Sequence, residues 1–472
     1  MISCSKNYAS RQFTLKTGNP NNIVPDRIVF SASFGIHDFM SITPAHDQAV
    51  LRNARHTQLE QAVADNHRQL FDLNAKALGG TVHSAEGLTY TYTRSNGSAV
   101  TFPSMTEEAA GAALDAMMDY YRTQQADNVG YWSLDPPSPA NIGASLLARG
   151  FQPGWQPCWM ALDLGTMHTD YTVPDNVQIL ADNHTSVNRI KDLPYAGNGG
   201  ALSDALFQAY PERVQRFIAF REGAVIGQCC LFFTTGPDGI AGMYNVGVIP
   251  SAQRQGIGKA LVVAACRFAA ERGYQYVMLN ANHMGRPVYE QVGFQFIGYG
   301  CTWWLIGWRY ITHAATPDMV NLAEAAGKGD LGILERLGTA FTPEELDRPL
   351  ANGMTLMQVA AHLHQPAAAE WLINHGVACT ALDAWDLGWK DRAADILATH
   401  PGEADRRYFD WRGTLLHIAA QRDDIALAQL ALDAGTDLSI QDKDHDATPL
   451  GWAHYFNRPA IIALIKKYMD NN

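Results

Sequence analysis

The sequence predicts mixed α/β sheets with flanking helices, followed by an all-α segment. From about Thr89 to Trp308, short apolar or alternating runs that suit strands recur between longer Ala- and Leu-rich runs that suit helices. After about Ala314 the strand-forming runs stop and helical runs take over. The chain has 472 residues, which is too long for one ordinary core, so several domains are expected.

Composition and charge argue against some classes of function. A hydrophobic fraction of 47% with 17% charged residues is typical of a folded globular protein. The formal net charge of −12 argues against a non-specific nucleic-acid surface or an anionic-membrane surface. We expect no transmembrane helix, because no run of about 18 apolar residues occurs, and no secretory signal.

The cysteines and histidines show no metal-binding or disulfide pattern. The seven cysteines are scattered without C-x-x-C spacing, and the 16 histidines contain no H-E-x-x-H motif. We therefore expect reduced, mostly buried thiols in a cytoplasmic protein, and no metal site.

One stretch combines a strand, a tight loop and a helix. The apolar run Tyr244–Ile249 predicts a strand that ends at Pro250, and a long apolar helix starts near Gly258. Between them, Gln253–Gly258 has two glycines one residue apart, which lets backbone N–H groups point into a shared hollow. Because the first N–H groups of a helix are unpaired and its dipole is positive there, this loop suits a pyrophosphate. An ordinary strand–turn–helix with a Gly-rich loop is the alternative.

The order of elements after this loop resembles the GNAT family of acetyl-CoA-dependent N-acetyltransferases. The helix stops at Gly273, and the strand Tyr276–Asn280, Asn282, a short helix with Tyr289, and Gly293-Phe294 follow. The resemblance covers roughly residues 175–310 and implies a mixed sheet that binds acetyl-CoA as acyl donor, without a metal. Within this part we expect helical segments around Ser186–Lys191 and Leu202–Tyr210, and Phe296–Trp308 should close the domain.

The resemblance also implies roles for particular residues. Tyr289 stands where the family has the acid for the leaving thiolate, the backbone N–H near Val246 is expected to stabilise the oxyanion, and Asn245 lies beside it. Gly247 within the strand independently suggests a bulge or a close backbone approach. The expected contacts of acetyl-CoA are Val246, Val248, Gln253, Arg254, Gln255, Gly256, Ile257, Gly258, Lys259, Asn282 and Tyr289.

The general base is not identified by the sequence. Many family members carry Glu or Asp on the central strand, but residues 240–251 contain no acid. Asp238, His283, or a water held by Asn245 and Tyr244 are the candidates. An amine that arrives neutral and needs only a water relay is a further possibility.

The N-terminal half resembles a second, degenerate GNAT unit. The predicted order is a hairpin around residues 89–102, the helix Glu107–Gln124, the strand Val129–Leu134, and Ser145–Phe151, which is similar to Val288–Phe294. Trp159–Leu164 is the expected closing strand of this half. This half lacks a Gln-x-x-Gly-x-Gly loop, and Leu146 occupies the register of Tyr289. It should therefore not turn over acetyl-CoA. An unrelated α/β domain with a coincidental Leu-x-x-x-Gly-Phe is the alternative.

The C-terminal segment resembles ankyrin repeats. Gly413–Ala420 and Ala447–Ala453 are similar to the T-P-L-H-x-A start of that repeat, and Thr355–Ala361 is a third copy. Thr414 and Thr448 lie 34 positions apart, near the ankyrin period of about 33. The resemblance implies a helical solenoid that either binds a protein partner or braces a neighbouring domain.

These observations predict four segments and one principal function. The segments are a polar leader at 1–42, a degenerate GNAT-like domain at 43–165, a GNAT catalytic domain at 175–312, and an ankyrin-repeat domain at 315–472. The expected function is transfer of an acetyl group from acetyl-CoA to an amine of a small molecule or protein that the sequence does not name. The alternative is an ankyrin-based interaction protein with a CoA-binding or inactive GNAT domain. Neither nucleic acid nor a membrane is an expected partner.

Overall fold

A computed structural model describes most of the chain. It covers residues 49–94, 97–168, 174–197, 201–282, 284–313, 315–409 and 411–471. The predicted leader and His283 lie outside these residues. No helix within them is long and apolar enough to cross a membrane.

The described residues contain twelve strands. They are β1 (Thr81–Ala85), β2 (Leu88–Tyr92), β3 (Ser98–Thr101), β4 (Asn128–Leu134), β5 (Gln152–Pro153), β6 (Cys158–Asp163), β7 (Val177–Ala181), β8 (Val214–Arg221), β9 (Ala224–Phe233), β10 (Ala241–Val248), β11 (Tyr276–Ala281) and β12 (Gln295–Ile306).

The α-helices alternate with these strands and then make up the C-terminal part. They are α1 (His56–Ala77), α2 (Glu107–Gln124), α3 (Ile142–Ala148), α4 (Asp204–Ala209), α5 (Ile257–Glu271), α6 (Arg286–Val292), α7 (Gly307–Thr312), α8 (Pro317–Lys328), α9 (Leu331–Gly338), α10 (Pro343–Leu346), α11 (Leu356–His362), α12 (Pro366–Asn374), α13 (Ala381–Asp386), α14 (Lys390–Thr399), α15 (Leu415–Arg422), α16 (Ile425–Asp433), α17 (Pro449–Tyr455) and α18 (Pro459–Asn471).

The chain divides into two compact units, each built from separated segments. Among the described residues, unit 1 comprises 75–158 and 298–471, and unit 2 comprises 49–74 and 159–297. The sequence led us to expect contiguous segments because local patterns reveal a strand but not its neighbour in a sheet. The predicted boundaries at 43–165, 175–312 and 315–472 stay predictions.

Unit 2 is a twisted sheet with helices on both faces. Its strand order is β6-β11-β10-β9-β8-β7. Strands β7 to β10 form successive antiparallel pairs, whereas β10 and β11 are parallel and joined by α5. A Cβ added at Gly227 would lie 3.0 Å from Leu261 of α5, and one at Gly242 would lie 2.1 Å from Asn66 of α1. These glycines point to opposite sides of the sheet, so α5 and α1 cover opposite faces.

Two strands have partners that the sequence did not predict. We expected Trp159–Leu164 to close the first half, but β6 lies beside β11 in unit 2. We expected Phe296–Trp308 to close the second half, but from Gly300 onward β12 pairs with β4 in unit 1. Both strands exist where the apolar runs indicated, and only their neighbours differ.

One predicted helix of unit 2 is replaced by turns. We expected residues 186–191 to be helical, but they form turns and bends, and only α4 is helical in this part. Within this segment the Ser186 hydroxyl oxygen accepts a hydrogen bond from the backbone N–H of Asn188, two residues later, at 3.4 Å. Such a local side-chain bond offers the backbone an alternative to a helix.

Unit 1 begins with a small sheet of the predicted order. β1, β2 and β3 are antiparallel neighbours, and β3 is parallel to β4 through the connection by α2. The short helix α3 follows and ends at Gly150, whose φ of +91° is favoured by glycine.

The C-terminal part of unit 1 is a stack of helix pairs. The pairs are α8/α9, α11/α12, α13/α14, α15/α16 and α17/α18, each joined by a short turn. Thr355, Thr380, Thr414 and Thr448 are the N-caps of the first helices in four of these pairs. The ankyrin-like segments thus lie on helix pairs, and their assignment as ankyrin repeats stays a prediction.

The helix stack shares a core with the small sheet of unit 1. Leu147 and Ala148 of α3 belong to the same buried apolar cluster as residues of α8 and α11. The buried Arg149 guanidinium pairs with Asp115 of α2 at 2.7 Å and with Glu324 of α8. Asn352 Nδ2 donates to the carbonyl oxygens of Leu147 and Phe151 at 2.9 and 2.7 Å.

Candidate active site

A β-bulge interrupts the central strand β10. The antiparallel register shifts so that Asn245 and Val246 together face Cys229 of β9, and Asn245 has a φ of +51°. At the next position, a Cβ added to Gly247 would lie 2.8 Å from Pro194 Cβ and 2.9 Å from its carbonyl oxygen. The predicted bulge and close backbone approach near Val246 are therefore confirmed.

The two parallel strands diverge at this bulge. Their pairing joins Ala241 to Val277 and ends with Met243 and Leu279, while β10 continues to Val248. Val246 and Val248 are half-buried along the diverging part. The side chain of Asn245 is already committed, because its Oδ1 accepts a hydrogen bond from Ala201 N–H at 2.9 Å. This bond leaves Asn245 less suited to hold a catalytic water than the sequence suggested.

The Gln253–Gly258 loop is shaped by its own side chains. Gln253 Nε2 donates to Val248 O at 3.0 Å, and Gln255 Nε2 donates to Ser251 O at 3.2 Å. Arg254 and Gly256 have left-handed φ values of +59° and +79°. In this structure the two glutamine side chains therefore hold the backbone of the loop instead of projecting outward.

The loop leads into a helix N-terminus that no N-cap side chain satisfies. The N-cap residue of α5 is Gly256, which has no side chain to accept a hydrogen bond from the first backbone N–H groups. The first turn of α5 contains no acidic residue. Lys259 lies in this first turn and is half-buried. The side chain of Ile257 is buried in the core, so only the backbone of Ile257 faces the loop. A Cβ at Gly258 would touch only Val248 Cγ2, at 3.8 Å, so the fold itself does not require this glycine.

Helix α2 of unit 1 has a different kind of N-terminus. Thr106 caps α2 by accepting a hydrogen bond from Ala109 N–H at 3.3 Å, and Glu107 and Glu108 follow in the first turn. The backbone N–H of Glu108 and then the Thr106 hydroxyl hold the pKa of Glu108 below its usual value. This terminus is already occupied by the chain's own oxygen atoms and negative charge, and would repel a phosphate.

Asn282 and Tyr289 lie where β11 passes into α6. Asn282 Oδ1 accepts a hydrogen bond from Gly285 N–H at 2.7 Å, which starts the turn into the helix. A Cβ at Gly285 would lie 2.9 Å from Tyr289 Cε2, so the backbone packs closely against the ring. The side chain of Asn282 is exposed at the mouth of the diverging strands.

The environment of Tyr289 keeps its hydroxyl protonated. Burial raises its pKa well above the usual value, and the nearby Cys229 thiol and Tyr195 hydroxyl raise it further. Cys229 also faces the bulge across β9, so Tyr289 and the bulge share this neighbour. Among the described residues the Tyr289 hydroxyl makes no hydrogen bond, which leaves its proton available for donation.

A buried polar network from α1 meets the central strand, and sequence reasoning missed it. Asn66 Nδ2 donates to Thr234 Oγ1 at 3.1 Å and to the carbonyl oxygens of Phe232 and Ile240, both at 3.3 Å. Its Oδ1 therefore faces the Tyr244 hydroxyl, 2.7 Å away, and accepts that hydroxyl's proton. No local signal links residues 66 and 244, because the pairing is formed only in the folded chain.

The same network fixes the tautomer of His67. Since the Tyr244 hydroxyl donates to Asn66, His67 Nδ1, 3.0 Å from that hydroxyl, must carry a hydrogen and donate to it. Burial lowers the pKa of His67 to about 3, so the imidazole is neutral at physiological pH. It therefore has little capacity to accept a proton as a general base there.

Asp238, another base candidate, is not brought to the bulge. Asp238 precedes β10, and the five steps from Ala241 to Val246 alone span roughly 17 Å at about 3.3 Å per step. His283 lies outside the described residues. Within the described ranges, no group of three or more His, Cys, Asp or Glu residues has the arrangement of a metal site.

Comparison with known proteins points to one family for this part of unit 2. The family model described as Acetyltransferase (GNAT) family matches residues 185–294. Over 83 residues the chain is 40% identical to the mycothiol acetyltransferase of Thermomonospora curvata, covering 16% of this chain and 27% of that protein. Over 77 residues it is 31% identical to the glucosamine 6-phosphate N-acetyltransferase of Trypanosoma brucei brucei, covering 16% of this chain and 52% of that protein.

Solved structures of similar proteins match at low identity. A GCN5-related N-acetyltransferase from Kribbella flavida has a TM-score of 0.40 at 14% identity, covering 50% of this chain and 94% of that chain. A tandem GNAT protein from the clavulanic acid biosynthesis pathway has a TM-score of 0.35 at 17% identity, covering 47% and 78%.

The chain spans about a quarter and about half the length of the two curated relatives. Their matches agree with the family model and with the bulged strand, Gly-containing loop and helix described above. Residues 185–294 are an acetyltransferase domain of the GNAT family.

Proposed function

We propose that this chain is an N-acetyltransferase that uses acetyl-CoA and binds its pyrophosphate at the Gln253–Gly258 loop. The observation that carries the proposal is the uncapped N-terminus of α5, free of acidic residues, directly after the bulge of β10. The unpaired N–H groups and the helix dipole favour an anion at this point. Arg254 and Lys259 add positive charge beside it.

The bulge assists the attack on the thioester carbonyl, and Tyr289 assists the departure of the thiolate. The amine nitrogen attacks the thioester carbonyl, and the backbone N–H of Val246 stabilises the oxyanion that develops. When the C–S bond breaks, the Tyr289 hydroxyl gives its proton to the departing thiolate. The raised pKa of Tyr289 supports this role, because the group must be protonated at the pH of the reaction.

The amine is expected to reach the site as the free base. Asn66, Tyr244 and His67 form a neutral, internally bonded network on the α1 face of the central strand. An ammonium group buried against it would lack an opposite charge, which is costly. The proton released when the C–N bond forms then passes to water.

The acceptor class is an amine of a small molecule or a protein. The name of the Trypanosoma relative states that it acetylates glucosamine 6-phosphate, so this amino sugar is the first probe for the present chain. A polypeptide amine is the second probe.

We propose that the N-terminal half is a GNAT-like unit without a donor site. Phe151 N–H donates to Leu146 O at 3.0 Å, and Phe294 N–H donates to Tyr289 O at 3.1 Å, so Leu146 has the register of Tyr289. Leu146 is fully buried and has no proton to give. Together with the self-capped terminus of α2, this supports one acetyl-CoA site in the chain.

We propose that the helix pairs form an ankyrin-type array that braces unit 1. The core shared by α3, α8 and α11, and the pairing of Arg149 with Glu324, support bracing at the start of the array. The later pairs, α13 to α18, are the part that would bind a protein partner in the alternative, interaction-module function. Acetyl-CoA turnover that persists without any partner would favour the enzyme.

Calorimetry with acetyl-CoA tests the proposal. The full chain should bind acetyl-CoA, and Gly258→Val should abolish binding without unfolding, because the fold has space for a side chain there but the ligand needs that space. Gly332→Val is the matched control, since Gly332 is also the second residue of a helix with a single close neighbour, Asp330 Oδ1 at 3.4 Å. Absence of binding by the unaltered chain would refute the proposal. Thiol release with glucosamine 6-phosphate and other amines then tests turnover.

A further inference from the structure

Arg221 is the last residue of β8, and its side chain contacts the Gln253–Gly258 loop. Its Nη2 donates to Gln255 Oε1 at 2.5 Å, and Gln255 in turn donates to Ser251 O. The Nε of Arg221 is buried without a hydrogen-bond partner. Among the described residues no carboxylate pairs with this guanidinium, so its charge is uncompensated beside the loop.

The strand order defines on which side of the loop Arg221 lies. β8 and β10 are both antiparallel to β9, so their C-terminal ends lie at the same edge of the sheet. The loop follows β10 at this edge. The strand order here is β11-β10-β9-β8. Asn282 and Tyr289 follow β11 on one side of the loop, and Arg221 at the end of β8 lies on the other side.

This arrangement matches the layout of phosphates in CoA. If the thiol end lies at Tyr289 and the pyrophosphate at the loop, the adenosine end continues toward the side of β8. The adenosine carries a third phosphate, a monoester on the 3′ oxygen of the ribose. The N-terminus of α5 is already used by the pyrophosphate, so the third phosphate needs another cationic partner.

We propose that Arg221 binds the 3′-phosphate of CoA. The planar guanidinium presents paired N–H donors that match two phosphate oxygens, which an ammonium group does not. On binding, Nη2 exchanges Gln255 Oε1 for phosphate oxygen, and Gln255 keeps its bond to Ser251. The inference rests on the proposed acetyl-CoA site and assigns the recognition of one particular phosphate within it.

Calorimetry with CoA and with 3′-dephospho-CoA tests this assignment. The unaltered chain should bind CoA about 10- to 100-fold more tightly than 3′-dephospho-CoA, as expected for charge-assisted hydrogen bonds of about 1.5–3 kcal/mol. Arg221→Gln should weaken binding of CoA by this factor and leave 3′-dephospho-CoA unchanged. Arg221→Lys should keep part of the preference and serves if the glutamine variant is unstable.

A matched control separates local contact from net charge. Arg267→Gln removes the same charge from the exposed face of α5, roughly 13 Å along the helix from Gly258 at about 1.5 Å per residue. This variant should bind both ligands as the unaltered chain does.

Several outcomes would overturn the assignment. Equal affinity of the unaltered chain for the two ligands would mean that the 3′-phosphate is not recognised. An equal loss for both ligands in Arg221→Gln would mean that Arg221 acts on the loop or the pyrophosphate. An equal effect of Arg267→Gln would indicate net charge alone. If the unaltered chain bound neither ligand, the proposed acetyl-CoA site itself would fail, and this result is distinct from the others.

Discussion

A fragment that contains only residues 175–312 is expected not to fold, although the GNAT resemblance lies within it. Unit 2 also needs residues 49–74, which provide most of α1, and residues 159–163, which provide β6. Leu51, Val63 and Leu70, which the fragment lacks, are at most 3% exposed. At about 1.5–3 kcal/mol for each buried side chain, their loss costs about 5–9 kcal/mol.

This cost is comparable to the whole stability of a domain, which is about 5–15 kcal/mol. The fragment also loses Asn66, which bonds the Tyr244 hydroxyl and two backbone carbonyl groups at the start of the central strand. The remaining sheet would therefore expose its α1 face and an unpaired edge at β11.

Urea unfolding followed by circular dichroism, together with acetyl-CoA calorimetry, tests this expectation. The full chain serves as the control and should unfold cooperatively and bind acetyl-CoA. The 175–312 fragment should show no cooperative transition and no binding. Cooperative unfolding of that fragment with full affinity for acetyl-CoA would refute the reasoning, because α1 and β6 would then be dispensable.

Three further predictions concern single residues. Tyr289→Phe should lower kcat about 100-fold or more in thiol-release assays while leaving KM for acetyl-CoA unchanged, and a kcat within twofold would exclude Tyr289 as the acid. The pKa of His67 is about 6.5 in the unfolded chain and about 3 in the folded chain. The free energy of unfolding should therefore be highest above pH 6.5 and should decrease by up to about 1.4 kcal/mol per pH unit as the pH falls toward 3. His67→Gln should flatten this dependence in urea midpoints measured at pH 7 and 4.5, and an unchanged slope would contradict it. Glu324→Gln should destabilise unit 1 by about 2 kcal/mol in urea, since Arg149 keeps only Asp115 as a charged partner, and no change would mean that the pair is not formed in solution.

Local patterns predicted the elements that carry the proposed donor site. The apolar run before Pro250, the glycines of the loop and the apolar face of α5 are consecutive in the chain, so their geometry follows from a few neighbouring residues. Gly247 indicated the bulge because a strand rarely tolerates glycine without a reason of this kind. The same holds for the start of α2 at Glu107.

Contacts between distant segments could not be predicted in this way. Asn66 reaches Tyr244 only because α1 crosses the sheet at Gly242, and nothing in either segment encodes the other. The apolar pattern of β6 fits any buried sheet position, so it did not reveal β11 as a neighbour. The prediction of a helix over residues 186–191 was wrong because the Ser186 side chain competes locally for the backbone N–H of Asn188.

The division of each unit between separated segments has a consequence for synthesis on the ribosome. Residues 49–74 emerge early, yet unit 2 is complete only when residue 297 has been made, roughly 200 residues later. At about 5–20 residues per second, this interval lasts on the order of 10–40 s. During that time α1 has no sheet to cover, and its apolar face is available to chaperones or to the wrong partner. The nascent chain thus has to postpone the burial of its first helix until its acetyltransferase domain has been translated.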